Sequence, residues 1–302
     1  MTANADMIID RRKTRRSLAI WRIAAIVAIV VAVIAMLPKF GGSGFGPHVA
    51  RISVDGIIFH DPQREQAILD LAEDDMVEAV IVSIDSPGGT LVGSEALYEA
   101  LRTVAEAKPV VATMSEYAAS GGYITALAAD YIVARRNTLT GSIGVVMEAP
   151  NAEGLLDALG IEVNRIKSAP LKAEPTFTSR PTPEALSAQQ QLIDDAFDWF
   201  KGIVADRRAL SGQALDKVTD GRAHTGKQAL TLGLVDALGS EAVARQWLQD
   251  EHNISTDLAV QNRRWGGDER PWPLDQIDGL DAIFTTTEQF VTSIPRLYAL
   301  VR

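Results

Sequence analysis

The chain has 302 residues, 47% of them hydrophobic, which is enough to bury a sizeable core in one large domain or two small ones. Its formal net charge of -10 argues against a nucleic-acid partner, since the one dense basic run is confined to the N-terminus. There is no cysteine, so disulfides, thiolate metal sites and cysteine nucleophiles are excluded. The four histidines, His48, His60, His224 and His252, share no metal-binding spacing, and no metal or cofactor is expected.

Residues 1–17 form a basic N-terminus carrying Arg11, Arg12, Lys13, Arg15 and Arg16. Residues 18–37 are apolar apart from Arg22, about the length that crosses a bilayer as one helix. Only Lys39 follows closely, so the charge bias places the N-terminus in the cytoplasm and everything after Pro38 outside. No small-x-small cleavage pattern follows the run, which favours an uncleaved anchor over a removable signal.

A glycine-rich linker occupies residues 38–46, and the folded domain is expected from about residue 47 to 241. Strand-like runs lie at Val49 to Val54, Ala79 to Ile84, Val110 to Met114 and Tyr131 to Ala134. Helical patterns fall between them, at Gly93 to Ala107 and Gly121 to Ala128, and helices dominate from Thr182 to about Asp250. This alternation predicts an α/β domain with parallel strands joined by crossover helices. Residues 242–302 form a C-terminal extension, in which Leu280, Ile283, Phe284, Val291, Ile294, Tyr298 and Val301 recur at helical spacing, a stripe able to pack on its own domain or on another subunit.

Four segments carry candidate chemistry. The strand Ile81 to Asp85 ends in Ser86-Pro87-Gly88-Gly89, where glycine lets backbone N–H groups approach a developing oxyanion; an ordinary turn has the same composition. Ser120 sits in Ala118-Ala119-Ser120-Gly121-Gly122-Tyr123 before a small-residue helix, as a helix-capping serine or as an exposed nucleophile. Thr138 to Val146 is a hydroxyl-rich turn, expected to precede another strand and containing Ser142. Ile166 to Pro175 holds Lys167 and Lys172 among apolar residues and prolines.

The order of these segments resembles the signal peptide peptidase A family of serine proteases. The resemblance runs roughly from Val49 to Gly239 and rests on Asp85-Ser86-Pro87-Gly88-Gly89, Ala119-Ser120-Gly121-Gly122-Tyr123, Thr140-Gly141-Ser142-Ile143-Gly144-Val145, and the later Thr225-Gly226-Lys227-Gln228-Ala229-Leu230 with Gly233-Leu234-Val235-Asp236. It implies Ser120 as nucleophile, Lys172 as general base, Ser142 as the hydroxyl orienting the lysine, and Gly89 with Gly121 as the oxyanion hole. Lys167 competes with Lys172 for the base, because Pro170 and Leu171 stand where the family commonly has an aromatic and glycine-containing approach. The implied fold is the crotonase and Clp protease β-β-α spiral, assembled as a homo-oligomeric ring that degrades cleaved signal peptides or other apolar remnants at the outer face of a bacterial inner membrane.

An amine accepts the serine proton only when neutral, so the base must be desolvated and must not face a carboxylate; Glu174 is therefore expected to turn away from Lys172. Two other motifs are set aside. Gly221 to Gln228 approaches a phosphate-binding loop, but Gln228 stands where a hydroxyl would contact magnesium, and His224 lacks the Gly-x-Ser-x-Gly elbow of a histidine-based triad. A crotonase-like acyl-thioester enzyme and a catalytically silent membrane scaffold are the rival readings.

Overall fold

The computed structural model describes residues 21–29 and 46–263. Its centre is one mixed, mostly parallel sheet of eight strands. The strands are β1 (His48–Ile58), β2 (Val77–Gly89), β3 (Val110–Ala119), β4 (Tyr131–Ala134), β5 (Leu139–Gly141), β6 (Ala223–Thr225), β7 (Ala237–Leu238) and β8 (Val260–Arg263). The main path runs β6-β5-β3-β2-β1-β8, while β4 pairs with both β3 and β7. Every pairing is parallel except that of β5 with β6. The α/β class expected from the alternation is the class observed.

Helices α1 (Pro62–Glu73) and α2 (Leu91–Ala107) form the first two crossovers, and the short α3 (Gly121–Leu127) follows β3. Local chemistry starts them: Asp61 accepts the N–H groups of Gln63 and Arg64 ahead of Pro62, and Thr90 accepts that of Gly93. Beyond α4 (Glu153–Ala158) come the 26-residue α5 (Pro183–Arg208), capped by Thr182, then α6 (Gly212–Val218), α7 (Gly226–Thr231) and α8 (Glu241–His252). Gln228 closes a capping box with Thr225 at the start of α7, which gives this near-phosphate-loop segment a structural role.

Both faces of the sheet are covered, so β2 is buried continuously from Ala79 to Val82 rather than alternating. One core packs α2, α3 and α5 against Val80, Val82, Ala112 and Ile132, and a smaller one sets α8 against Ile81, Val111 and Val133. The sheet continues past residue 241: Val49 to Ile52 of β1 pair with Val260 to Arg263 of β8, residues assigned from sequence to the C-terminal extension.

Two expectations need adjustment. No strand directly follows the Thr138–Val146 segment; β5 lies within it, ending before Ser142, and Val145 and Val146 lie outside the sheet, Val146 at 84% exposure. β2 and β3 also run several residues past their apolar stretches, to Gly89 and Ala119, because neighbouring strands pair with their polar ends. Residues 21–29 are helical and exposed, and among the described residues no helix is long and apolar enough to cross a membrane. The expected 18–37 span and the 280–301 stripe lie largely or wholly outside the described residues.

Candidate active site

The site is built where β3 splits its pairing. Val111 to Met114 pair with β4, whereas Tyr117 to Ala119 pair with β5, so β3 changes its neighbour on that side just before it turns into α3. Ser120 occupies that corner. Its φ of 53° and ψ of -118° place it in a region that side-chain-bearing residues rarely adopt, at a cost of about 1–3 kcal/mol. A capping serine is extended and bonds the first helical turn; Ser120 does neither, and its hydroxyl makes no hydrogen bond among the described residues.

The surroundings hold the corner in place. The Ser120 N–H donates to the Gly141 carbonyl at 2.9 Å, and its own carbonyl accepts Tyr123 and Ile124. Gly88, at φ +116°, presses so closely that a Cβ there would lie 2.9 Å from Ser120 Cβ and 3.0 Å from the Gly121 nitrogen. A Cβ on Gly121 would collide with Ser94 Oγ and stand 3.1 Å from the Gly89 nitrogen. The Thr90 N–H goes to the Ile58 carbonyl in the β1–β2 ladder. Alternation along β2 therefore turns the Gly89 N–H away from β1, towards the Ser120 side. Two glycine nitrogens and one unengaged hydroxyl thus share a small volume at the sheet's carboxyl end.

Ser142 follows directly. It too has a left-handed φ, 49°, and its N–H is held by the Arg222 carbonyl at 3.0 Å. Ser120, Ser142, Gly89 and Gly121 are therefore gathered on adjoining strand ends, all within one hydrogen-bonded frame.

Lys172 is not part of that frame. It is exposed in the stretch between α4 and α5, and its amine makes no hydrogen bond or ion pair among the described residues. Glu174 turns to Lys167 at 2.6 Å and Arg165 at 3.3 Å, and these cations hold its carboxyl below the usual range, with the Lys167 hydrogen bond the main cause. The expected divergence of Glu174 from Lys172 is observed, and Lys167 is the lysine the carboxylate engages. Around Lys172 the chain exposes Val163, Ile166, Leu171 and Phe177. A cleft of about 440 Å³ between Met147–Pro150 and Ala173–Phe177 and another of about 620 Å³ beside Lys217, Arg222 and His224 contain neither Ser120 nor Lys172.

Sequence reasoning did not single out Gly88, whose φ is positive and whose Cβ position faces Ser120 Cβ directly. The signal available was the doubled glycine, of which only Gly89 was read chemically. It also did not single out Ser94, buried beneath Gly121 with its hydroxyl on the Thr90 carbonyl.

The model of peptidase family S49 matches residues 102–255, about half of the chain. The chain belongs to peptidase family S49. A Synechocystis protein named as a protease is 42% identical over 66% of this chain and 72% of its own length. The chloroplastic serine protease SPPA of Arabidopsis thaliana is 35% identical over 69% of this chain but only 31% of its own length. Among solved structures, a membrane-bound stomatin-specific protease aligns over 73% of this chain and 99% of its own at 14% identity and a TM-score of 0.48. With the family goes a serine protease of the signal peptide peptidase A kind, which is the resemblance the motifs carried. In this S49 chain the only serine at a strained strand-to-helix corner among the described elements is Ser120.

Proposed function

We propose that this S49 protein is a membrane-anchored endopeptidase with a serine–lysine dyad, in which Ser120 attacks the peptide carbonyl and Lys172 takes its proton. The observation that carries the reading is the Ser120 corner: a residue held in a costly conformation, hydroxyl unengaged, beside two glycine nitrogens. Strain of this kind persists where it presents a reactive group. The Gly89 and Gly121 N–H groups stabilise the oxyanion of the tetrahedral intermediate, and an acyl-Ser120 forms as the amine leaves with the proton from Lys172. Lys172 then deprotonates water to release the acyl group.

The base comes from a neighbouring copy. In favour of this, Lys172 lies exposed and unpaired on a stretch that shows Ile166, Leu171 and Phe177 to solvent, an apolar surface suited to burial against another subunit. Burial there desolvates the amine, as general-base work requires, and Ser142 holds it without a carboxylate's charge. The copies close into a homo-oligomeric ring of the crotonase and Clp protease spiral. Residues 18–37 anchor it to a bacterial inner membrane with the domain outside, where the substrates are cleaved signal peptides and other apolar remnants.

The test compares hydrolysis of an apolar reporter peptide by wild type, Ser120→Ala, Lys172→Ala and Lys167→Ala. Loss in the first two with retention in the third supports the dyad, and loss only with Lys167→Ala reassigns the base. Mixing the two inactive variants regains activity if serine and lysine meet between chains, because a mixed ring contains intact pairs.

A further inference from the structure

His224 is 93% buried, since only 7% of its surface is exposed, and its Nε2 has no hydrogen-bond partner among the described residues. A buried polar atom without a partner costs about 1–3 kcal/mol, so it needs a reason. The register supplies one. β5 and β6 pair antiparallel with Thr140 opposite His224 and Gly141 opposite Ala223, and the Ser142 N–H bonds Arg222. Ser142, the residue after β5, is therefore held two residues from His224 along the same strand pair. The imidazole edge packs against the Gly141 backbone that leads into Ser142: a Cβ on Gly141 would lie 3.1 Å from His224 Cδ2, the carbon bonded to Nε2. The Ser142 hydroxyl also makes no hydrogen bond among the described residues.

We propose that His224 is a positioning residue of the active site, whose neutral Nε2 accepts the Ser142 hydroxyl when the lysine engages. The inference rests on the Ser120 and lysine reading above. A neutral amine must keep its lone pair for the Ser120 proton, so it should meet Ser142 as a donor. Ser142 then accepts from the amine, and its own proton needs an acceptor, which His224 Nε2 provides. Protonated, Nε2 becomes a donor, Ser142 is left with its proton free to point at the amine, and the lone pair required for catalysis is captured.

The neighbourhood keeps the ring neutral. Burial holds its pKa below the ordinary value; Asp220 opposes this, and Arg222 and Lys217 reinforce it. These groups come from the turn before β6, from β6's approach and from the end of α6, and Lys227 and Gln228 of α7 face the same cleft.

The experiment is the pH profile of kcat/KM for an apolar peptidyl-aminocoumarin with the full-length protein, comparing wild type, His224→Phe, His224→Gln and Ser142→Ala, with Ser120→Ala as control. Wild type should lose activity on its acid side with two protons, one from the base and one from His224. His224→Phe and Ser142→Ala should lose it with one, run about tenfold slower at the optimum, and combine without further loss. His224→Gln, whose amide oxygen accepts a hydroxyl but does not titrate, should recover much of the rate with the one-proton slope, which also serves if the phenylalanine variant does not fold. A two-proton acid limb retained in His224→Gln or His224→Phe overturns the inference. Activity retained by Ser120→Ala overturns the underlying nucleophile assignment instead.

Discussion

The Ser120 N–H donates to the Gly141 carbonyl at 2.9 Å, and this bond ties the candidate nucleophile to the turn that carries Ser142. Because Gly141 also pairs with Ala119 on one side and Ala223 on the other, three strand ends share one short stretch of backbone. Disturbing any of them should be felt at the serine first.

Gly88 is the most direct lever. An alanine there would place its Cβ 2.9 Å from Ser120 Cβ and 3.1 Å from the Ala119 carbonyl, in a backbone conformation that disfavours side chains. We expect Gly88→Ala to lower peptide hydrolysis at least about a hundredfold, the scale set by small displacements of a reacting group. Gly154→Ala, whose added methyl meets nothing, should leave the rate unchanged. Equal rates for the two variants would remove Gly88 from the site.

Replacing Ser120 separates strain from chemistry. Alanine keeps a Cβ in the unfavourable region, whereas glycine relaxes it and loses some unfolded-state advantage. Both variants should be inactive, with Ser120→Gly the more stable of the pair by about 1 kcal/mol in chemical denaturation. A glycine variant less stable than the alanine variant would show that the corner is unstrained.

Asp55 and Asp85 stand directly opposite each other on β1 and β2. Burial, and then the Asp85 charge, raise the Asp55 carboxyl above its ordinary value, while Asp85 accepts the Tyr117 N–H. A folded-state pKa above the unfolded one contributes stability at low pH, and that contribution is lost as pH rises through the folded value. Asp55→Asn should therefore raise the melting temperature at pH 7 and leave it little changed near pH 3. The same shift at both values would rule out a charge origin.

The Arg208–Asp236 pair joins the end of α5 to the sheet. Asp236 accepts Arg208 at 2.7 Å and the Ile132 N–H at 2.8 Å, and Arg208 also donates to the Gly233 carbonyl. Asp236→Ala leaves a largely buried guanidinium unpaired and should cost about 3 kcal/mol. Lys201→Ala, which breaks a more exposed pair with Asp216, should cost under about 1 kcal/mol. Urea denaturation of the two variants checks the contrast.

Much of the architecture was legible in the chain because its signals are local. Continuous apolar runs marked β2 and β3, Tyr131 to Ala134 was found at its observed limits, and the helix over Gly93 to Ala107 was missed only by its first two residues. Gly89, Ser120, Gly121 and Ser142 were named through the resemblance that the four motifs carry, and the fold brings these four residues to adjoining strand ends. The polar ends of β2 and β3, the pairing of β8 with β1 and the loss of a strand after Ser142 could not, since each depends on which distant segment supplies a hydrogen-bonding partner.

What the amino-acid sequence determined alone is the chemical inventory: no thiol, a serine between small residues, glycines at strand ends, and lysines set in an apolar stretch. Tertiary structure decided how that inventory is used. It forced Ser120 into a left-handed corner against Gly88, paired Glu174 with Lys167 rather than Lys172, and buried His224 beside Gly141. The physical reason is that composition and spacing fix what a residue can do, whereas backbone strain, charge partnership and desolvation are properties of neighbours brought together only by the fold.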